Sequence, residues 1–163
     1  MDGKYLFDPG SLGLIVHGME NLKTVIAESK SSPQAIPGKV SLVGFSVGGA
    51  GVLAYGTKLK DQVSAVVAYY PAITTLGRDM KTLAAGFQTP VLVFAGEKDL
   101  YHNCCLLHTM RELAKAPKTV PFELVEYPKA HHGFNIRSLP FAYRPEDAAD
   151  SWAKTVSFLD RLH

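Results

Sequence analysis

Lys39-Val40-Ser41-Leu42-Val43-Gly44-Phe45-Ser46-Val47-Gly48-Gly49 opens on a short apolar, β-branched run, passes through a serine between glycines, and continues into the helix-forming stretch Ala50-Gly51-Val52-Leu53-Ala54. Pro37-Gly38 breaks the chain in front of it. The pattern predicts a strand, a sharp turn and a helix running to about Lys60. Such a turn forces the serine into a strained backbone conformation. Side chains at 44 and 48 would collide with the turn, so glycine is expected to be needed at both. The turn lifts the Ser46 hydroxyl above the carboxyl edge of the sheet. It also sets the next N–H, that of Val47, at a helix N-terminus, where it can bind a developing oxyanion. The bland alternative is a tight βα turn that merely needs glycines. The glycines fit no G-x-G-x-x-G spacing and no P-loop lysine follows, which excludes a nucleotide cradle of either kind.

Outward from this stretch, β-rich runs alternate with longer helical ones. Ile15, Met19, Leu22 and Ile26 make a helical stripe over about 12–30, ended at Ser31-Ser32-Pro33. Val63 to Tyr70 reads as a second strand, apolar on both faces as a buried parallel strand should be. A short helix or irregular segment is expected over 74–86. Pro90 to Ala95 is the third strand, 103–115 a helix with Leu106, Met110 and Leu113 inward, and Val120 to Tyr127 the fourth strand. Pro145 starts the last helix, with Glu146 and Asp147 in its first turn and Ala149, Trp152, Val156 and Leu159 as its expected buried stripe. Four parallel strands with helices between them define a one-domain, doubly wound α/β layer.

A serine nucleophile needs a base, and the base an orienting acid, in the chain order serine, acid, histidine for this kind of fold. Asp99 follows the third strand in Ala95-Gly96-Glu97-Lys98-Asp99, at the same carboxyl edge as Ser46. Glu97 sits nearer the strand end and reads as a solvated acid; Asp61 and Asp79 lie on the wrong segments. After the fourth strand come His131-His132-Gly133-Phe134. His132 is the expected base, because the glycine after it permits close approach to the turn. His131 is left as a neighbour, and His17, His102, His108 and His163 read as surface residues.

The 163 residues carry 17 basic and 15 acidic side chains, 47% hydrophobic and 20% charged residues, an ordinary globular composition. A net charge of +2 with no basic run speaks against nucleic acid as a partner. No stretch reaches 18 apolar residues, and Met1-Asp2-Gly3-Lys4 does not lead into a signal-peptide pattern. The only cysteines, Cys104 and Cys105, are adjacent. They cannot staple distant segments, so a reducing, cytoplasmic location is expected. They read as small residues at a helix start and receive no role.

Several stretches together resemble the dienelactone hydrolase family of the α/β-hydrolase superfamily. They are Pro37-Gly38-Lys39-Val40 into Val43 through Gly49; Tyr69-Tyr70-Pro71; Pro90 to Asp99; Tyr127-Pro128 through Phe134; and the closing helix from Asp147 through Trp152 to Leu162. The resemblance spans nearly the whole chain from about Leu14. It implies a nucleophile–Asp–His triad, Ser46, Asp99 and His132, acting on small esters or lactones without metal or cofactor. It also implies a substrate-binding role for Arg137, five residues after His132, toward an anionic substrate. Two departures stand out. The founding members carry cysteine where this chain has Ser46, which points to a general esterase. Relatives also place several strands before the serine-bearing strand, where this chain has one helix, so a sheet truncated at its N-terminal side is expected. Residues Lys4 to Phe7 offer one short strand at most. The bare edge of strand 40–43 therefore leads to the expectation of a homodimer, or a larger homo-oligomer, through that edge or through the helix at 14–30. The competing expectation is a truncated, non-catalytic hydrolase-fold module serving in binding or assembly. An acyl transferase or peptidase on the same scaffold stays open.

Overall fold

Apolar runs too short for helices and bounded by proline or glycine pair here into one sheet, and the helical stretches cover it. The computed structural model describes residues 9–74 and 79–162, with side chains from residue 18 onward. Its elements are α1 (Pro9–Ser31), β1 (Val40–Phe45), α2 (Val47–Ala54), β2 (Val63–Tyr69), α3 (Met80–Ala85), β3 (Val91–Gly96), α4 (Leu107–Lys115), β4 (Phe122–Tyr127) and α5 (Pro145–Asp160). The strands lie in chain order, β1-β2-β3-β4, and every pair is parallel. The expected four-stranded parallel sheet is therefore what forms. The Lys4–Phe7 segment lies outside the described residues, as do residues 75–78.

A parallel sheet built in sequence order puts its crossover helices on one face, because each crossover takes the same hand. The buried residues follow that rule. Ala50 and Leu53 of α2, Met80 and Leu83 of α3, and Met110 and Leu113 of α4 share one cluster with Val66, Ala68, Val91, Val93 and Ala95, and Leu22 and Ile26 of α1 join it. The opposite face gathers Val67, Tyr69, Leu92, Phe94, Tyr127 and Phe134 against Phe158 of α5. Every residue of β3 is buried, as a strand covered on both faces requires. Each fully buried aliphatic or aromatic side chain here contributes roughly 1.5–3 kcal/mol. In the expected stripe of α1, Leu22 and Ile26 pack inward and Met19 is half-buried. The side chain of Ile15 lies outside the described residues.

Three expectations need correction. The last helix does not bury Trp152 and Val156, which are exposed, and Ala149 is exposed as well. It buries Ser151, Thr155 and Phe158 instead. Polar residues can face inward there because their hydroxyls bond back into the helix, Ser151 Oγ to the Ala148 carbonyl and Thr155 Oγ1 to the Ser151 carbonyl. Thr155 also meets the Tyr69 hydroxyl at 2.8 Å, which fixes α5 to β2. Second, α4 begins at Leu107 rather than 103; Tyr101–Asn103 is a separate 3-10 turn. The cause is local, since His102 and Asn103 take left-handed φ values of 46° and 53°, which no helix tolerates. Third, the helix after Ser46 ends at Ala54, and a 3-10 turn over Gly56–Lys58 completes the run to Lys60.

The end of β4 is tied to α5 by polar contacts. The Tyr127 hydroxyl donates to Asp150 Oδ2 at 2.7 Å while its ring packs on Phe94 and Phe134. The neighbouring Lys154 ammonium, and then this hydroxyl, hold the Asp150 carboxyl below the usual carboxylate range. A carboxyl depressed in the folded state stabilises the fold above its unfolded pKa and loses that contribution as pH falls through its folded value. Tyr127→Phe keeps the ring and removes the donor. It is expected to lower stability by about 1 kcal/mol at neutral pH, below the usual range for a bond to a charged group because Asp150 is half-exposed and its charge is screened by solvent. Denaturant melts at pH 7 and in acid check this, since the difference between the two proteins should shrink as Asp150 protonates.

Candidate active site

Ser46 stands between β1 and α2 with φ 53° and ψ −118°, a conformation costly for a side-chain-bearing residue. What holds it there is the crossover after β2. The Ser46 N–H donates to the Tyr69 carbonyl, and the Ser46 carbonyl accepts from the Ala72 N–H, both at 3.0 Å. Gly44 is required as expected, because a Cβ there would overlap the Gly48 carbonyl, whose carbon lies 2.7 Å away. The same expectation for Gly48 is corrected, as a Cβ at 48 would meet nothing within 4 Å. The second constrained glycine is Gly49, whose Cβ would press on Pro71 at 3.1 Å. Small residues along α2 let it lie directly on the sheet. Val47 is its first residue, and the first intrahelical bond runs from Ala50 N–H to the Ser46 carbonyl. The Val47 N–H thus belongs to the turn of donors that a helix start leaves without intrahelical acceptors.

Asp99 and His132 come from the ends of β3 and β4 at the same carboxyl edge. His132 Nε2 lies 2.9 Å from Ser46 Oγ, and His132 Nδ1 lies 2.8 Å from Asp99 Oδ2. Asp99 is buried, and its second oxygen accepts the Tyr101 N–H at 3.2 Å. Glu97 and His131 are exposed, which separates each from the neighbour chosen in the sequence. The acid and histidine loops are joined by their backbones. Glu97 N–H donates to the Tyr127 carbonyl and Lys98 N–H to the Ala130 carbonyl, each at 3.0 Å. Arg137 is exposed on the loop after His132 and stands outside the hydrogen-bonded group of three.

Two aromatic rings flank His132 that residue patterning alone does not assign to it. Tyr101 stacks on the imidazole at 4.7 Å between centroids, and Tyr70 presents its edge at 4.7 Å. Tyr70 takes a φ of 36°, its N–H donates to the Phe94 carbonyl, and its hydroxyl donates to Asn135 Oδ1 at 2.8 Å. Burial, followed by the proximity of Tyr69 and Asp99, pushes that hydroxyl far above the ordinary tyrosine range. It stays a neutral hydrogen-bond donor throughout the working pH range. Tyr70 sits in the quoted Tyr69-Tyr70-Pro71 stretch, so a signal for it existed; for Tyr101 there was none beyond its position two residues after Asp99.

Cys104 and Cys105 are buried and joined to each other as a disulfide, in the loop before α4 rather than at its start. The bond links neighbours in sequence and staples no distant segments. Among the described residues, their sulfurs and a His132 ring nitrogen form the group of potential metal ligands, all within 4.8 Å of one another.

A parallel sheet that carries a serine on a strained strand–helix turn, with an acid and a histidine arriving from later strand ends, is an α/β fold of the hydrolase type. The chain belongs to the dienelactone hydrolase family, whose sequence pattern matches residues 14–163. It is 26% identical over 169 residues to Protein usf of Aquifex pyrophilus, covering 96% of this chain and 70% of that protein. Among solved structures it is similar to one from Klebsiella pneumoniae subsp. pneumoniae MGH 78578 that carries a dienelactone hydrolase designation, at 24% identity and TM-score 0.72, covering 84% of this chain. It spans 57% of that structure's length. It also superposes on a monoacylglycerol lipase from Paleococcus ferrophilus at 17% identity and TM-score 0.69, covering 91% of this chain and 76% of the lipase. Among the described residues, no helix is long and apolar enough to cross a membrane.

Proposed function

We propose that the chain is a serine hydrolase of small carboxylic esters or lactones. The observation that carries this reading is the continuous line from Ser46 Oγ through the His132 ring to the buried Asp99 carboxylate, at 2.9 and 2.8 Å. His132 takes the Ser46 proton as Oγ attacks the ester carbonyl, and Asp99 holds the imidazole in the tautomer that leaves Nε2 free to accept. The Val47 N–H donates to the oxyanion of the tetrahedral intermediate. His132 then returns the proton to the departing alcohol. Water, activated by the same histidine, releases the acyl group from Ser46. No cofactor enters these steps. Arg137, exposed on the histidine loop, is the residue we assign to a carboxylate on the acid part of a substrate. Hydrolysis of p-nitrophenyl acetate above the buffer rate, together with covalent capture of a fluorophosphonate probe on the peptide containing Ser46, is the expected result. Absence of both would favour a non-catalytic hydrolase-fold module.

We further propose that the chain assembles as a homodimer. Among the described residues β1 is an edge strand of the sheet, and Val43 and Phe45 on its α5-side face are exposed at 37% and 43%. An edge with apolar residues standing open beside it invites pairing. Light scattering is expected to give twice 17.7 kDa; a monodisperse monomer at high concentration would contradict it.

A further inference from the structure

Cys104 and Cys105 are the one reactive pair that the proposed hydrolysis does not use, and they lie against its base. The loop from Asp99 runs through Tyr101, stacked on His132, and then through His102 and Asn103, both in the left-handed region. That turn delivers the two cysteines inward, where the Cys104 carbonyl accepts the Thr74 N–H at 3.0 Å. Both sulfurs are buried, on the same side of the chain, and within 4.8 Å of a His132 ring nitrogen.

We propose that the reduced Cys104–Cys105 pair and His132 together form a site for a thiophilic divalent cation of the Zn²⁺ or Cd²⁺ kind, and that its occupation removes His132 from the Ser46–Asp99 line. Two thiolates and an imidazole are a donor set that such ions prefer. On a tetrahedral zinc, with Zn–S about 2.3 Å and Zn–N about 2.0–2.1 Å, ligand atoms stand roughly 3.4–3.8 Å apart, so once the disulfide is reduced the two sulfurs part from bonding distance and draw in on the ring nitrogen, which already lies within 4.8 Å of both. Both ring nitrogens are already engaged, Nε2 with Ser46 and Nδ1 with Asp99. Whichever one binds the metal gives up its partner, so either mode of binding disables the base. A fourth position stays open to water.

The disulfide and the metal exclude each other, because bonded sulfurs offer no thiolate. A trialkylphosphine opens the disulfide: phosphorus is oxidised to the phosphine oxide with an oxygen from water, and the two sulfurs are reduced to thiols. The cation then displaces one proton from each thiol. Oxidation of the pair would therefore protect the hydrolase from the metal, and reduction would expose it. The binding half of this inference stands by itself; the inhibition half rests on the hydrolase reading above.

The test is a Cd²⁺ titration of phosphine-reduced protein without oxygen, read by the ultraviolet thiolate-to-cadmium charge-transfer band and, separately, by p-nitrophenyl acetate hydrolysis. One equivalent of Cd²⁺ should produce the band and abolish hydrolysis. The disulfide form and the Cys104→Ser/Cys105→Ser variant should show no band and keep their activity. His132→Gln, followed by the band alone, should weaken binding by about 10–100-fold or more, since a ligand counts for at least as much as an outer-shell partner. Single Cys104→Ala and Cys105→Ala variants should each weaken it too. A missing band in reduced wild type overturns the site, as does an unchanged affinity in His132→Gln. Equal inhibition of wild type and the double serine variant overturns the inhibition. A band without any esterase activity would leave the metal site standing and remove the hydrolase reading.

Discussion

Ser46→Ala is expected to lower kcat for p-nitrophenyl acetate by about 10⁴-fold or more and to eliminate fluorophosphonate labelling. The hydroxyl is the proposed nucleophile and the group that meets His132 Nε2, so nothing else at the site replaces it. The fold should survive. The bonds that hold the turn come from the backbone N–H and carbonyl of residue 46, and the methyl of alanine fits where the serine Cβ already stands. The melting temperature should therefore shift little while activity collapses. Asp99→Asn should cost a similar factor by favouring the wrong imidazole tautomer. Because such residues act as a unit, the double variant should fall little below Ser46→Ala alone. Equal labelling of wild type and Ser46→Ala would place the nucleophile elsewhere.

Gly96→Ala is expected to be strongly destabilising. A Cβ at 96 would overlap the Ala130 carbonyl, with the carbonyl carbon at 2.8 Å and the Ala130 Cβ at 3.1 Å. The obstacle is backbone, which cannot swing away as a side chain can. It is also the backbone that accepts Lys98 N–H and so binds the acid loop to the histidine loop. The cost should be about 3 kcal/mol, at the upper end for overpacking, which is roughly 6–12 °C in Tm for a chain of this size. Gly48→Ala is the matched control. Its Cβ meets open space inside a helix, so stability should hold or rise by up to about 1 kcal/mol. Calorimetry of the two variants that ranked them the other way would refute this account of the two glycines.

What could be read in the residues alone was whatever their own chemistry decides. Val63–Tyr69, Ser64 apart, and Val91–Gly96 are apolar on both faces, and their length and β-branched content favour a strand buried on both sides. That Ser46, Asp99 and His132 would meet at one edge of the sheet was legible because each follows the end of a parallel strand. Gly48 misled because a glycine beside a reactive serine suggests sterics, while the actual clearance depends on the path of α2. The inward face of α5 misled for a different reason. Hydrophobicity points to Trp152 and Val156, but Ser151 and Thr155 satisfy their hydroxyls locally and can turn inward, a choice visible only once Tyr69 stands opposite. The disulfide between Cys104 and Cys105 follows a left-handed turn at His102 and Asn103, residue types that tolerate that conformation better than most but do not by themselves specify it.

Strand order that equals chain order has a consequence for the growing polypeptide. As the chain leaves the ribosome, β1, the serine turn and β2 can associate as soon as they are made, since Ser46 needs only Tyr69 and Ala72 to hold its backbone. The acid follows at position 99 and the histidine only at 132, after β4. If Ser46 and His132 act as proposed, the nascent protein carries the serine turn through some 86 residues of further synthesis before its base is made. On the proposed reading activity waits on one late loop, so a chain terminated anywhere before His132 should show none.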